Sequence, residues 1–459
     1  MPTEPRRGCP PPHTVRRCEI IADVCQRRAV QFEGPPDPPP RVFIRTYGCT
    51  FNQSDSDAIA GILTSAGFAI VDSEENADVI LLNTCTVKGA TEQKTIDKIK
   101  RLVSAKKRLV IAGCLPEANK SLVRNYAPNS PLLGTRSLSH AADAVRAALA
   151  NKPAEFFTET EDKFSLPRTH GNVIARIPLA EGCLGACTYC QTKLARGSLH
   201  SYPLESILSE VRQCVRKGCK EIQLTAQDTG AYGVDIKANL AELLVELAAI
   251  PGDFRLRVGM LNPEHAKRIL PQLLKAYSSP KLYKFAHIPV QCGSDKVLKS
   301  MRRSYKLKDF LFVIKAFRKK FPQLTLATDI IVGYPTETKA DFDATLKLLK
   351  QVKFDIVNVS KFTPRPFTPA AKLKQLPNQE VKRRSEEASA LCRKISLEKN
   401  LKLIGKTFRV LITEQQPKGF SGRTDEYRQV AMKKAKVGEF ITAKITGATG
   451  SYLAASKAI

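Results

Sequence analysis

The chain of 459 residues carries 73 Lys and Arg against 44 Asp and Glu, a formal net charge of +29. General solubility and thermophily usually raise both signs of charge together, so this excess favours a polyanionic partner such as nucleic acid. No run of about 18 apolar residues and no apolar amino-terminal segment is present, so we expect neither a membrane span nor a signal peptide. Six of the 13 cysteines form two triplets that an oxidising compartment would destroy, which predicts a reducing, cytoplasmic setting.

Residues 1–40 read as a Pro-rich, basic extension. Proline clusters at 10–12 and 35–40 bracket a stretch, 14–31, that is patterned as one basic amphipathic helix. We expect the extension as a whole to be disordered.

An α/β domain is predicted at 41–150. Its apolar, β-rich runs at 42–44, 78–82 and 109–112 are separated by helix-like stretches, which is typical of a parallel sheet. A cysteine follows each run, and the carboxyl ends of parallel strands lie at one edge of a sheet. Three thiolates there can hold an iron–sulfur cluster with one open iron, the alternative being three buried core cysteines. The cysteines are Cys49, Cys85 and Cys114.

A polar linker is predicted at 151–169, followed by a strand-like run at 173–179. Cys183, Cys187 and Cys190 then stand in a short loop with the spacing C-x3-C-x2-C. Three thiolates can hold a [4Fe–4S] cluster whose fourth iron has no protein ligand. A zinc site or a disulfide is the alternative, although closed structural zinc sites usually take four ligands and no fourth Cys or His stands nearby.

The central domain, 170–395, alternates strand-like and helical segments as a partial (β/α) barrel requires. Polar, glycine-bearing loops follow its strands, and each loop alone is compatible with an ordinary barrel rim. Its remaining cysteines are interpreted as core, rim or helix residues without an assigned role, namely Cys214, Cys219, Cys292 and Cys392.

The carboxyl-terminal segment, 396–459, is predicted to form a small β-barrel after a helix at 379–402. Strand-like runs occupy 407–413, 427–431 and 439–445, and residues 401–459 carry eleven Lys and Arg against four Asp and Glu. Small basic barrels commonly bind RNA. Phe420 and Tyr427 are candidates to stack on bases, or else core or edge aromatics of the barrel.

Taken together, these motifs resemble a known family. The C-x3-C-x2-C loop resembles that of the radical S-adenosylmethionine (SAM) superfamily, and the sequences TYGCTFNQSDS, NTCTV and AGCLP resemble the amino-terminal domain of the methylthiotransferases. The sequence GRTDEY resembles the RNA-binding TRAM module. The resemblance, which extends over nearly the whole chain from residue 42, implies two [4Fe–4S] clusters: an auxiliary cluster on Cys49, Cys85 and Cys114, and a SAM-cleaving cluster on Cys183, Cys187 and Cys190.

The resemblance also implies where SAM binds and where this chain departs from the family. It places SAM against Gln227, Asp228, Arg257, Gln291 and Asp329. Thr336 and Phe367 stand where the family usually has Gly, and both are backbone turns, so the departures concern loop shape.

The segments 191–197 and 224–233 look most like the archaeal and eukaryotic enzymes that act on N6-threonylcarbamoyladenosine beside the tRNA anticodon. This implies a transferase that adds a methylthio group at C2 and uses two SAM per turnover. Acid–base side chains have nothing to act on at that C–H bond, so no catalytic side chain is assigned. The implied partners are tRNA and a reductant protein such as a ferredoxin or flavodoxin, and we expect a monomer.

The sequence leaves the substrate and the reaction type open to some degree. The substrate of a methylthiotransferase could instead be isopentenyladenosine in tRNA or a ribosomal protein aspartate, because residues 227–229 also resemble enzymes of the latter type. A non-catalytic RNA-binding iron–sulfur protein would also carry a basic barrel and clustered cysteines. A radical SAM enzyme of another reaction type would share the C-x3-C-x2-C loop.

Overall fold

The computed structural model describes residues 38–86, 89–158 and 161–458. The helix predicted at 14–31, and all but the last three residues of the predicted extension, lie outside the described residues. Arg41–Ile459 form one structural unit, which contains all the elements described below. No helix in the described ranges combines the length and apolarity that crossing a membrane requires.

A parallel six-stranded sheet in the order β2-β1-β3-β4-β5-β6 forms the amino-terminal domain. Its strands are β1 Arg41–Thr46, β2 Ala69–Val71, β3 Val79–Thr84, β4 Leu109–Gly113, β5 Leu132–Leu133 and β6 Glu155–Phe156. The helices between them are α1 Thr50–Ser65, α2 Gly89–Ser104, α3 Cys114–Ala118, α4 Lys120–Tyr126 and α5 Ala141–Leu149. β3 is buried along its whole length, as expected of a strand covered on both faces. The predicted α/β fold is confirmed. The segment 151–169, predicted as a linker, contains β6, which forms a strand there because it pairs with β5.

The central domain is a partial barrel of six parallel strands. It consists of two three-stranded sheets, β11-β10-β7 and β12-β13-β14. Two isolated parallel bridges join them, one between Leu256 and Leu282 and one between Met260 and His287. The strands are β7 Ile174–Pro178, β10 Glu221–Thr225, β11 Arg255–Val258, β12 Phe285–His287, β13 Thr325–Val332 and β14 Ile356–Lys361, and the short pair β8 Ala180–Glu181 and β9 His200–Ser201 flanks the cysteine loop. The helices are α6 Thr192–Arg196, α7 Leu204–Arg216, α8 Leu240–Ala249, α9 Pro263–Arg268, α10 Leu270–Ala276, α11 Asp295–Ser300, α12 Leu307–Lys320 and α13 Lys339–Val352.

A long helix, α14 (Asn378–Leu401), leads to a closed five-stranded barrel in the order β15-β16-β17-β19-β18. The strands are β15 Thr407–Gln416, β16 Gly419–Thr424, β17 Gln429–Met432, β18 Phe440–Ala448 and β19 Leu453–Lys457. The predicted barrel is therefore confirmed, with β16 and β19 added to the strands that the sequence indicated. A Cβ on Gly422 would lie 2.4 Å from the Leu411 carbonyl oxygen, so glycine is required for β15 and β16 to pair there.

The carboxyl-terminal barrel docks on the amino-terminal ends of the central strands through Tyr427. The Tyr427 ring packs against Tyr283 and Phe285, with ring centroids 4.8 Å apart in both pairs. Arg255 Nε donates to Asp425 Oδ1 at 2.7 Å beside it. The sequence left Tyr427 open between base stacking and a structural role, and the structure places it between the two domains.

Candidate active site

The first cysteine triplet lies at the carboxyl edge of the amino-terminal sheet. Cys49 directly precedes α1, Cys85 directly follows β3, and Cys114 is the first residue of α3. The strand order reverses between β1 and β3, and open α/β sheets bind ligands at such a point. Gly48 has a φ of 105°, and a Cβ there would lie 2.6 Å from Cys85 Cβ. Only glycine therefore lets these two cysteine loops approach so closely.

Asn52 joins the three loops of this triplet. Its Oδ1 lies 3.7 Å from Cys49 Sγ and 3.6 Å from Cys114 Sγ, and it accepts a hydrogen bond from Arg196 Nη2 at 2.8 Å. Its Nδ2 donates at 2.8 Å to the carbonyl of Thr84, the residue before the remaining cysteine. One buried amide thus fixes all three cysteine-bearing loops around itself.

The donor set at this triplet fits an iron–sulfur cluster. Three thiols are soft ligands of the kind that iron–sulfur clusters and zinc select. Burial raises the pKa of the Cys114 thiol to about 12, although the nearby Arg196 guanidinium acts to lower it. The thiol therefore keeps its proton at neutral pH until a metal takes the proton's place.

The second triplet lies in the loop after β7 and β8, and each of its sulfurs is within hydrogen-bonding distance of a donor. The pairs are Gly185 N to Cys183 Sγ at 3.3 Å, Arg303 Nη1 to Cys187 Sγ at 3.3 Å, and Thr192 N to Cys190 Sγ at 3.4 Å. Hydrogen bonds to ligand sulfurs tune the reduction potential of a bound cluster. Burial raises the pKa of the Cys183 thiol to about 11. This set, too, fits a cluster.

Two of the residues predicted to contact SAM lie beside this loop. Gln227 Oε1 accepts a hydrogen bond at 2.7 Å from the backbone N–H of Gly182, the residue before Cys183. Asp228 is buried, and its carboxylate lies 2.6 Å from His265 Nδ1 and acts to raise the pKa of Cys183.

The other three predicted SAM contacts divide between two places. Gln291 and Asp329 are adjacent, because the Gln291 N–H donates to the Asp329 carbonyl at 2.9 Å, and Gln291 has a φ of 67°. Arg257 instead lies over two rings where the central and carboxyl-terminal domains meet, 5.3 Å from the Phe285 centroid and 5.8 Å from the Tyr427 centroid. The structure therefore places Gln291, which follows β12, beside Asp329 within β13, and it turns Arg257 toward the carboxyl-terminal domain.

The loops that carry the two triplets touch each other. Thr86 follows Cys85, Gln191 follows Cys190, and Thr86 Oγ1 donates to Gln191 Oε1 at 2.6 Å. Gln191 Nε2 also donates at 3.0 Å to the Pro366 carbonyl, which brings the 362–370 loop to the same place.

Two guanidinium groups at these loops, those of the buried Arg365 and the half-buried Arg303, have unused donors. Arg365 Nη1 pairs with Glu92 Oε2 at 2.8 Å, and Arg303 Nη2 donates to Asn262 Oδ1 at 3.2 Å. Within the described ranges, Arg365 Nη2 and Arg303 Nε have no hydrogen-bond partner. Buried donors without partners are costly unless a ligand satisfies them, so this region is suited to an anionic ligand.

Sequence reasoning missed Asn52, Arg196 and Arg303 as site residues. Arg196 is 3% exposed and pairs with Asp55 Oδ2 at 2.7 Å and Glu181 Oε1 at 2.8 Å, so it bridges the two domains between the triplets. Asn52 and Arg196 stand inside the motifs that carry the family resemblance, which was the available signal. Arg303 follows α11 in a segment that carries none of those motifs.

Family models match three parts of the chain. Residues 41–134 match the uncharacterized protein family UPF0004, 177–349 the radical SAM superfamily, and 401–458 the TRAM domain. These matches contain the first triplet, the second triplet and the carboxyl-terminal barrel, respectively.

Archaeal relatives match over nearly their whole length. The probable threonylcarbamoyladenosine tRNA methylthiotransferase of Methanothermobacter thermautotrophicus is 43% identical over 420 residues, which is 90% of this chain and 99% of that protein. This chain belongs to that methylthiotransferase family. The Pyrococcus horikoshii protein of the same name is 41% identical over 90% of this chain and 98% of its own length. The human threonylcarbamoyladenosine tRNA methylthiotransferase is 37% identical over 86% and 69%, respectively.

The predicted family and its archaeal and eukaryotic subgroup are thereby confirmed. Among solved structures, the radical SAM methyltransferase TsrM from Kitasatospora setae, determined with cobalamin and a [4Fe–4S] cluster, is similar with a TM-score of 0.53. The match covers 72% of this chain and 77% of TsrM at 13% identity. At that identity the similarity concerns the fold of the methylthiotransferase and not its reaction.

Proposed function

We propose that this methylthiotransferase adds a methylthio group at C2 of N6-threonylcarbamoyladenosine next to the tRNA anticodon, using two SAM per turnover. Cys49, Cys85 and Cys114 hold one [4Fe–4S] cluster, and Cys183, Cys187 and Cys190 hold the other. When bound, the clusters and SAM supply the radical chemistry, the sulfur and the methyl group that acid–base side chains cannot supply at this carbon.

The observation that carries the proposal is the hydrogen bond between Thr86 and Gln191. Because these residues directly follow Cys85 and Cys190, the contact brings the two cysteine loops to one place. A substrate held there is within reach of both triplets, as a reaction that needs both requires.

The chain's own polar groups position the ligands in this proposal. Gln227, Asp228, Gln291 and Asp329 remain the proposed SAM contacts, with the first two supported by their position beside the cysteine loop. Arg257 is left out of this set, because its guanidinium packs against Phe285 and Tyr427 at the opposite ends of the central strands.

The unused donors on Arg303 and Arg365 suit carboxylates. SAM and the threonylcarbamoyl group each carry one carboxylate. We therefore assign the two guanidinium groups to these two anions.

The tRNA surface that we propose combines exposed cations with one exposed aromatic ring. The carboxyl-terminal barrel exposes Lys402, Lys406, Arg409, Lys418, Lys433, Lys434, Lys436, Lys444 and Lys457, which suit a phosphate backbone. At the active-site rim, Phe367 is 72% exposed with a φ of 64°, next to the Pro366 carbonyl that Gln191 binds. Exposed aromatic rings stack on nucleic-acid bases, so Phe367 is the proposed stacking residue.

Three further parts of the proposal concern the electron donor, the oligomeric state and the cellular compartment. The reaction consumes electrons, which a ferredoxin or flavodoxin supplies. The enzyme acts as a monomer, and it works in the cytoplasm, where the thiols stay reduced.

The decisive experiment is a reaction of the anaerobically reconstituted full chain with SAM, a chemical reductant and tRNA that either carries or lacks N6-threonylcarbamoyladenosine. Mass spectrometry of the digested nucleosides detects the product. We expect the methylthio mass gain on the threonylcarbamoylated nucleoside only. Cys183→Ala abolishes it, whereas Cys392→Ala, which removes a buried thiol on α14, retains it.

Each remaining outcome points to a different function. A gain on isopentenyladenosine or on a ribosomal protein aspartate would reassign the substrate. Formation of 5′-deoxyadenosine without methylthiolation of any of these substrates would leave a radical SAM enzyme of another reaction type. No 5′-deoxyadenosine at all, with iron and tRNA bound, would indicate a non-catalytic RNA-binding iron–sulfur protein.

A further inference from the structure

A compact group of metal-ligand side chains lies away from both cysteine triplets. His170 precedes β7, Glu210 and Cys214 stand on α7, and Cys219 follows α7 just before β10. These positions belong to the amino-terminal ends of the central strands, whereas the two triplets lie at carboxyl ends. The group is therefore at the opposite edge of the parallel sheet.

The ligand atoms of this group converge. Those of His170, Glu210 and Cys214 all lie within 4.8 Å of one another, and His170 Nε2 is 2.6 Å from Glu210 Oε1. Glu210 and Cys214 are four residues apart on α7, so they share one face of the helix. Cys219 joins them, because its thiol contacts that of Cys214 and lies 3.4 Å from the Gly171 carbonyl.

The group is shielded from solvent and lies beside open space. The His170 side chain is only 4% exposed, and its Nε2 faces Glu210. His170 and Cys219 also line a cavity of about 240 Å³.

We propose that His170, Glu210, Cys214 and Cys219 bind one Zn²⁺ ion. Two thiolates, an imidazole and a carboxylate are the ligand types of tetrahedral zinc sites. With neutral His170 this set and the ion carry a net charge of −1, and Arg168 and Lys217, which interact electrostatically with Glu210, offset it. On binding, the two thiols release their protons and the ion replaces them.

The role of the ion is structural. His170 stands in the segment that leaves the amino-terminal domain, and Cys219 stands in the turn between α7 and β10. One ion bound to both fastens this connection to the central barrel, and four protein ligands leave no open position for chemistry.

The test uses the full chain with its iron–sulfur sites reconstituted first, so that the six triplet thiols are occupied. Zinc chloride is then added, loosely bound metal is removed with a chelator, and zinc and iron are counted by mass spectrometry. We expect one zinc per chain, with sulfur and nitrogen or oxygen neighbours in the zinc K-edge absorption spectrum. Loss of one ligand should lower zinc affinity by at least about tenfold, because even the loss of a residue that only hydrogen-bonds to a ligand typically costs that much.

The variants are Cys214→Ser, His170→Gln and Glu210→Gln, with Cys392→Ser as the matched control for loss of a buried thiol. The three ligand variants should lose zinc but keep their iron, and the control should keep both. The unchanged iron content shows that a variant is folded. Wild-type protein without zinc, zinc retained by Cys214→Ser, or a Cys214–Cys219 disulfide found by alkylation and mass spectrometry in protein prepared without oxygen would each overturn the proposal.

Discussion

Replacement of Phe367 by glycine tests separately the backbone strain at this residue and the contribution of its ring to tRNA binding. Phe367 holds a φ of 64°, a conformation that costs a residue with a Cβ about 1–2 kcal/mol. Its ring is 72% exposed, so little packing is lost with it. Glycine removes the strain but returns about 0.5–1 kcal/mol of backbone entropy to the unfolded chain. Phe367→Gly should therefore leave the free energy of unfolding unchanged or raise it by up to about 1.5 kcal/mol.

The same substitution should weaken tRNA binding. One stacked base contributes about 1–3 kcal/mol, which corresponds to roughly a 5- to 150-fold rise in Kd. Fluorescence anisotropy with a threonylcarbamoylated anticodon stem-loop measures Kd, and denaturant titration measures stability. Phe312→Ala removes a ring that is 56% exposed on α12 and should not change Kd. If Phe367→Gly binds tRNA within twofold of wild type, the ring does not stack on a base. If the substitution destabilises the chain, the ring contributes packing that its exposure does not indicate.

Three further predictions concern the domain contact and the clusters. Tyr427→Ala removes the ring between the two domains and should lower the free energy of unfolding by about 3 kcal/mol, measured by denaturant titration. Tyr452→Ala, at an exposed tyrosine, should lower it by under about 0.5 kcal/mol. Equal losses for the two variants would contradict the docking role of Tyr427. Cys49→Ala should lose the iron of the auxiliary cluster and the methylthiolated product, yet still form 5′-deoxyadenosine. Cys187→Ala should form neither 5′-deoxyadenosine nor the methylthiolated product. Methylthiolated product from Cys49→Ala would exclude the auxiliary cluster. Arg303→Met removes a charged hydrogen bond to the Cys187 sulfur and should lower the reduction potential of that cluster, because the positive charge favours the more negative, reduced state. A bond that stabilises the reduced state by about 1.4 kcal/mol more than the oxidised state corresponds to a shift of about 60 mV. An unchanged potential in an electron paramagnetic resonance titration would remove Arg303 from the cluster's environment.

Agreement between sequence and structure differs from one element to another. The strands before Cys85 and Cys114 were predicted because apolar β-rich runs identify a buried parallel strand locally. β6 and β19 were not predicted, because the sequences of Glu155–Phe156 and Leu453–Lys457 have weak strand character. They pair because a neighbouring strand offers an edge, and that edge exists only in the folded chain.

The candidate site shows the same difference between features that local sequence predicts and contacts that only the folded chain forms. Each cysteine triplet could be assigned from its motif, and the parallel sheet then implied that Cys49, Cys85 and Cys114 share one edge. The pairing of Asn52 with Arg196 spans 144 positions in the chain. No local pattern predicts such a contact, because the two side chains are brought together by the packing of two domains.

The sequence by itself determined the three-part architecture, the two cysteine triplets and the basic carboxyl-terminal barrel, because periodicity, spacing and charge are local properties of the chain. Tertiary structure alone decided that the triplets' loops meet at Thr86 and Gln191, that Tyr427 joins two domains, and that His170 lies beside Cys214. These contacts join residues distant in sequence, and long-range packing of the apolar cores fixes which of them become neighbours.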